Sequence, residues 1–427
     1  MKLNPQAEEL NKIVNIENSV ILNLLSDKGK AIFFPKKGIL AQTADAKGKK
    51  INATIGAALE EDGSPMRLNC IEKQINIRPE DAFPYASSFG KIELRNKWKQ
   101  MIIEKNPGLK NKNFSLPVVT CALTHAISIA GYMFINPGDK IISPDLYWGN
   151  YRLTLQNAYD GVIDTFNTFK DNKFDVESFA NKINETIGKK IILLNFPNNP
   201  SGYSLTQEEA NNILQTIKKA AEQGNKIVVL IDDAYFGLVY KDGIKKESLF
   251  SDLCDVHENV LAVKIDGATK EDYVWGFRVG FLTFGIKNGS DKLYDALMSK
   301  VAGAIRGNIS NDSHLSQSIV LNAFLDSEYN IQKKEKYEIM KKRYHEVRKV
   351  LSKNDYSSEF SALPFNSGYF MCVKVKKDAE KIRQLLLEKY DTGVIALDDL
   401  LRIAFSAVKT KDIPLLFDNI FNACKEA

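Results

Sequence analysis

No C-x-x-C pair occurs anywhere in the 427-residue chain, and its cysteines are an odd, scattered set: Cys70, Cys121, Cys254, Cys372 and Cys424. That spacing argues against a disulfide framework or a zinc site and reads as reduced thiols in a cytoplasmic protein. No segment approaches the roughly 20 consecutive apolar residues of a membrane span. Met1 to Leu25 alternates polar and apolar residues, carries Glu8, Glu9 and Glu17, and lacks the continuous apolar core of a signal peptide. No Lys/Arg block concentrates the net charge of +5, which is the surplus of 58 basic over 53 acidic residues. A nucleic-acid or membrane footprint is therefore not expected. Low-complexity linkers and repeats are absent too.

What is present is core-forming material, 44% hydrophobic residues against 26% charged, enough for a large α/β unit or several domains. Asn4 to Leu25 carries a helical pattern, followed by basic sequence around Lys36 to Lys50. From Val118 onward, β-rich runs alternate with helical patterns. Strands are expected at Val118 to Cys121, Lys140 to Ser143, Val162 to Phe166, Lys190 to Asn195, Lys226 to Asp232 and Val260 to Ile265. Helices are expected at Leu123 to Phe134, Asp175 to Ile187 and Thr206 to Gln223, the last opened by a Thr cap with Glu208 and Glu209 in its first turn. This alternation predicts a mainly parallel sheet with helices on both faces and ligands at the carboxyl ends of its strands. The last part of the chain reads as a smaller α+β domain: helices at Asn311 to Leu325, Asn330 to Leu351, Asp378 to Lys389 and from about Asp412, with strands at Tyr369 to Val375 and Leu401 to Phe405.

Three groups of residues fall at expected strand ends. Asn195-Phe-Pro-Asn-Asn-Pro-Ser-Gly202 is a rigid polar turn, equally readable as a plain connection to the next helix. Asp232-Asp233-Ala234-Tyr235 puts a carboxylate at the mouth of a buried strand, where it is either a cap or a partner for a cation. Thr269-Lys270 is followed by Trp275-Gly-Phe-Arg278-Val-Gly280-Phe, an apolar run interrupted by one arginine, which in such a run calls for an anion. A lone lysine is more often a solvated surface charge.

In this order and spacing the three groups resemble the class I and II aminotransferase family of fold-type I pyridoxal-phosphate (PLP) enzymes, from about Ile51 to the C-terminus. The resemblance implies a large domain with a mainly parallel seven-stranded sheet sandwiched by helices, plus a smaller α+β domain. Residues 1–58 would form an N-terminal arm and part of the small domain, 59–335 the large PLP-binding domain, and 336–427 the rest of the small one. Lys270 matches the lysine whose amine condenses with the cofactor aldehyde and afterwards carries a proton. Asp232 matches the aspartate that pairs with the ring nitrogen, Tyr235 and Asn199 the pair that holds the ring's phenolic oxygen, and Arg278 the phosphate clamp. The segment Thr120 to Ala126 corresponds to the phosphate cup, with backbone N–H groups at Leu123 and a hydroxyl at Thr124. His125 there is expected to be a bystander. Trp148, within Leu146-Tyr-Trp-Gly-Asn-Tyr151, resembles the ring stacked on the cofactor, although core packing would also account for it. Tyr85 resembles the tyrosine that reaches a neighbour's phosphate in a homodimer with shared sites.

At the substrate end, Arg402 resembles the arginine that forks onto the substrate α-carboxylate, and Gly56 a glycine whose loop closes over the substrate. Arg306 resembles an arginine that pairs with a side-chain carboxylate from across the dimer. A merely structural arginine is the equal alternative, because Asp312 and Ser313 replace the two prolines usual after Ser-Asn. Two further departures are Gly267, where the family has a phosphate-binding hydroxyl that only Thr269 or a water could replace, and Tyr273, where it has glycine. The expected activity is ping-pong transfer of an amino group from an acidic or aromatic L-amino acid to a 2-oxo acid such as 2-oxoglutarate. The same residues would serve a lyase or decarboxylase, because the cofactor carries the chemistry, or a non-catalytic effector-binding module.

Overall fold

The computed structural model describes residues 3–35 and 38–427; of the basic stretch Lys36 to Lys50, the first two lysines lie outside the described residues. The central sheet consists of β1 (Val118–Cys121), β2 (Lys140–Pro144), β3 (Val162–Phe166), β4 (Lys189–Asn195), β5 (Lys226–Asp232), β6 (Val260–Asp266) and β7 (Val279–Gly285). Their order is β1-β7-β6-β5-β4-β2-β3, and every pairing is parallel except the two made by β7. The apolar residues of β4 and β5 are buried without alternation, as a sheet covered on both faces requires. The helix Gln207–Glu222 buries Ala210, Ile213, Ile217, Ala220 and Ala221, one stripe of a 3.6-residue period, and Thr206 and Glu209 close a reciprocal capping box at its start.

A second sheet is wholly antiparallel: β8 (Phe360–Ala362), β9 (Met371–Val375), β10 (Ile395–Leu397) and β11 (Leu400–Ile403), in the order β8-β9-β11-β10. The N-terminal segment joins this side of the molecule. Ile51 and Asn52 pair in parallel with Thr392 and Gly393, and the Gln42 side chain bonds both the N–H and the C=O of Ala396. Among the described residues no helix is long and apolar enough to cross a membrane.

Several boundaries differ from expectation: the helical stretch expected from Asn4 to Leu25 breaks at Asn18, and the strand expected to reach Phe405 ends at Ile403. The helix expected to reach Ile187 ends at Ile183, since Ile187 is exposed and has no face to bury. The helix expected from Asn311 starts at His314, where the Ser313 hydroxyl accepts from Ser316 N–H and caps the first turn. The strand expected from Tyr369 starts at Met371: Tyr369 and Phe370, just after Gly368 at φ 68°, lie outside the ladder.

Candidate active site

Asp232 closes β5 and is 3% exposed. Its Oδ1 accepts from Ala234 N–H at 3.1 Å and its Oδ2 from the Tyr151 hydroxyl. Burial pushes this carboxyl up, while Tyr151 and the nearby Lys270 ammonium oppose the shift by favouring the anion. Asn195, the β4 residue in register with it, donates to the Asp232 carbonyl at 2.8 Å and accepts from Asn199 N–H at 2.8 Å. One asparagine thus fixes both the acid-bearing strand end and the polar turn that follows β4.

Lys270 sits on the short helical turn Ala268–Glu271, just after β6. Burial lowers its amine to about 8; Asp232 works against that shift and Arg278 adds to it. Its Nζ lies 5.6 Å from the centre of the Tyr235 ring. The Tyr235 hydroxyl is buried, which raises its pKa, and it is hydrogen-bonded to Asn199. Tyr369 donates to the Lys270 carbonyl at 2.7 Å, tying the lysine-bearing turn to the segment that precedes β9.

Arg402 enters from β11, 2% exposed. Its guanidinium reaches Asn199 Oδ1 at 3.3 Å and the Thr54 carbonyl at 3.0 Å, and it lies over the Phe370 ring at 4.3 Å. Its Nε is buried with no hydrogen-bond partner. A buried guanidinium with an idle donor and no carboxylate is a receptor for an anion, because leaving it unpaired is costly.

At the far end, β1 and β7 pair with Val279 opposite Cys121. The helix Ala122–Phe134 opens there with Ala122 at φ 58°, Leu123 buried and Thr124 half-buried. A Cβ on Gly280 would come within 2.6 Å of the Ala122 backbone, so glycine is what lets the helix start lie against β7. Arg278, at φ 57°, extends from the same corner, exposed, with Nη1 3.3 Å from the Trp275 carbonyl. Gly267 has no room for a side chain: a Cβ would meet Val279 O at 2.7 Å. Thr269, expected as a possible substitute donor, turns its hydroxyl to Val279 O at 3.3 Å. Tyr273 adopts φ 58°, the left-handed conformation a glycine would take, with its ring packed on Trp275. His125 accepts from Cys121 N–H at 3.1 Å, bracing the helix start.

Asp232, Tyr235, Asn199, Lys270, Arg278 and Arg402 therefore form one constellation. Trp148 adjoins it through an edge contact with Tyr151 at 5.6 Å, and Gly56 through the Phe370 ring, 3.9 Å from where its Cβ would be. Tyr85 and Arg306 stand apart from it. Tyr85 is 90% exposed, and Arg306 donates to Ser310 Oγ at 2.7 Å with no carboxylate beside it. Their two segments touch each other, through Ser88 to the Ser310 carbonyl and through Pro84 O to His314. Sequence reasoning passed over Tyr151, Asn195 and the Tyr369–Phe370 pair. Tyr151 lies three residues after Trp148 in a segment read for one aromatic only, Asn195 reads only as the start of the polar turn, and nothing local marks Tyr369 and Phe370.

The site offers a half-buried amine of lowered basicity, an anion opposite it, and an anion receptor at each end: the Arg402 guanidinium, and the helix N-terminus with Arg278. Those features fit a phosphorylated aldehyde cofactor and an amino-acid carboxylate. Residues 49–420 match the family model described as aminotransferase class I and II. The aspartate aminotransferase of Thermotoga maritima is 28% identical over 241 residues, 54% of this chain and 57% of that protein. That of Bacillus sp. YM-2 is 28% identical over 250 residues, 57% of this chain and 59% of that protein. These alignments span less than two thirds of the relatives' length. In fold, an aminotransferase from Anaerococcus prevotii superposes with a TM-score of 0.82 at 23% identity, covering 93% of this chain and 98% of that one. With the family model matched over most of its length, the chain belongs to the class I and II aminotransferases.

Proposed function

We propose that this protein is a PLP-dependent aminotransferase that moves the amino group of an L-amino acid, acidic or aromatic by preference, to a 2-oxo acid such as 2-oxoglutarate in a ping-pong cycle. The observation that carries the reading is the Lys270–Asp232–Arg402 constellation: a half-buried amine brought down to about 8, a buried carboxylate held by Tyr151, and a buried arginine with a free Nε. Pyridoxal phosphate, when bound, supplies an aldehyde for the amino group and an electron-withdrawing ring. Lys270 would hold it covalently, Asp232 at the ring nitrogen, Tyr235 and Asn199 at the ring oxygen, Trp148 on the ring face, and Arg278 with the backbone at Leu123 and the Thr124 hydroxyl at the phosphate.

Arg402 binds the substrate α-carboxylate and fixes the amino acid's orientation, with Asn199 on the same guanidinium. Gly56 leaves the approach to Phe370 open. Lys270 Nζ is the base that takes the Cα proton and later returns it. Its neutral fraction grows as pH rises through about 8, so proton transfer quickens over that range. Tyr235 keeps its proton at that pH and remains a hydrogen-bond donor.

The homodimer belongs to the same reading. Tyr85 and Arg306 are exposed on adjoining segments, where a second copy would receive them, and Arg306 is then free to meet a substrate side-chain carboxylate. The division into residues 1–58 with 336–427, around a large domain of 59–335, is supported by the strand pairing of Ile51–Asn52 with Thr392–Gly393. The described cysteines are all unpaired, in keeping with a reducing, cytoplasmic setting.

The test is spectroscopic. PLP added to the protein gives a visible absorbance band that K270A lacks. Aspartate, glutamate or an aromatic amino acid bleaches it, and a 2-oxo acid restores it. A wild-type protein that stays colourless with PLP rejects the reading. Bleaching whose products form without any 2-oxo acid acceptor would point to a lyase or decarboxylase instead.

A further inference from the structure

The phosphate end contains a carboxylate that the reading above does not use. Asp312 is 5% exposed, and its Oδ2 is buried with no hydrogen-bond partner. Around it are the Ser313 N–H, the Cys121 thiol and the Arg278 guanidinium, each close enough to favour the ionised carboxyl. Cys121 faces Val279 across the β1–β7 ladder. The acid therefore belongs to the corner from which the helix at Ala122 and Arg278 both emerge. Donors are scarce in that corner, since Gly267 offers no side chain and the Thr269 hydroxyl is turned to Val279 O.

We propose that Asp312 tunes the phosphate subsite: it shares Arg278 with an incoming phosphate dianion and takes up a proton when that dianion binds. The inference rests on reading this corner as the phosphate end of a PLP site. Burial already brings the Asp312 carboxyl up to about 6. A second anion nearby raises such a carboxyl by a further ~1–3 pKa units, which carries it past neutrality. Below about pH 6 the acid is already neutral and costs the phosphate nothing. Above that, dianion affinity falls by at most about tenfold per pH unit, until the raised pKa is passed. The other groups facing this corner are Arg278; Lys270, which Arg278 acts on; Cys121, whose thiol burial keeps protonated; and His125, which burial keeps neutral.

The test compares apoprotein and D312N by equilibrium binding of PLP, pyridoxal and sulfate from acid to mildly alkaline pH. Sulfate does not titrate where Asp312 does, and pyridoxal carries no phosphate. D312N should bind sulfate and PLP roughly tenfold more tightly than the wild type at about pH 8, equally at acid pH, and pyridoxal no differently. A wild-type-to-variant ratio that is flat with pH, or pyridoxal shifted as much as PLP, overturns the proposal. D312S, with a hydroxyl left for Cys121, replaces D312N if circular dichroism shows the latter unfolded. Failure of the wild type to bind either PLP or pyridoxal would instead overturn the functional reading, and the sulfate arm would still report on Asp312.

Discussion

Arg402 faces two uncharged acceptors and an aromatic ring, and keeps one buried donor idle. Lysine cannot reproduce that planar fork, so R402K should lower kcat/KM for amino acids by ~10–100-fold, the worth of one or two charge-assisted hydrogen bonds. PLP binding should remain, as the absorbance band would show. Tyr151 acts one step back, through Asp232. Y151F removes the donor that helps keep this buried carboxyl ionised. It should lower kcat by ~10-fold or more with KM little changed, and move the pH midpoint of the cofactor's visible band. A variant with only lower thermal stability and an unmoved band would make Tyr151 merely structural. The difference in legibility between these two residues is instructive. Arg402 could be read because its segment resembles the one that carries the family's carboxylate-binding arginine, and its apolar neighbours argue against a surface residue. Tyr151 could not, because a buried tyrosine three residues from a tryptophan looks like core until its hydroxyl is seen on Asp232.

At the scale of elements, the site exists because strands β4, β5 and β6 run parallel in adjacent positions and end together. Asn195, Asp232 and the turn bearing Lys270 follow from that alignment. The bounds of the six strands expected in the central sheet came out of the sequence within a residue, because fully buried runs such as Ile227 to Ile231 admit little else. The antiparallel setting of β7 did not, since direction is a property of pairing and not of composition. The polar turn after β4 is locked, at Gly202, to the segment that leads into β9; Gly202 has φ 71°, and its absent Cβ would lie 1.8 Å from the Phe370 carbonyl. Gly202 also accepts from Asn366 and Ser367 N–H through its carbonyl. G202A should destabilise by more than ~3 kcal/mol in urea titration, since strain and overlap with backbone add. It should raise KM before it abolishes folding, because Asn199 and Arg402 would be pushed apart.

For the whole molecule, buried charge is organised around the lysine-bearing turn. Glu271, next to Lys270, is buried between Lys105 at 2.9 Å and Lys333 at 2.8 Å, and Lys333 also reaches Asp272 at 2.9 Å. Burial alone would raise the Glu271 carboxyl, but the two ammonium groups outweigh it and hold it down to about 2. A carboxyl depressed in the folded state contributes stability that is complete above its unfolded value of 4.5 and is lost as pH falls toward 2. E271Q removes the buried anion that Lys105 and Lys333 share and should cost about 3 kcal/mol at pH 7, measured by chemical denaturation. The gap to the wild type should close between pH 4.5 and 2. The sequence by itself determined the alternation of strands and helices and the segments from which the site is built, because hydrophobic period is local, while the roles expected of Lys270, Asp232 and Arg402 came from the family resemblance of their motifs. Only the tertiary structure decided that Tyr151 holds Asp232, that Phe370 and Thr54 hold Arg402, and that Asp312 stands near Arg278. These contacts join residues between 32 and 348 positions apart, and nothing in a local pattern encodes which distant surfaces will be pressed together.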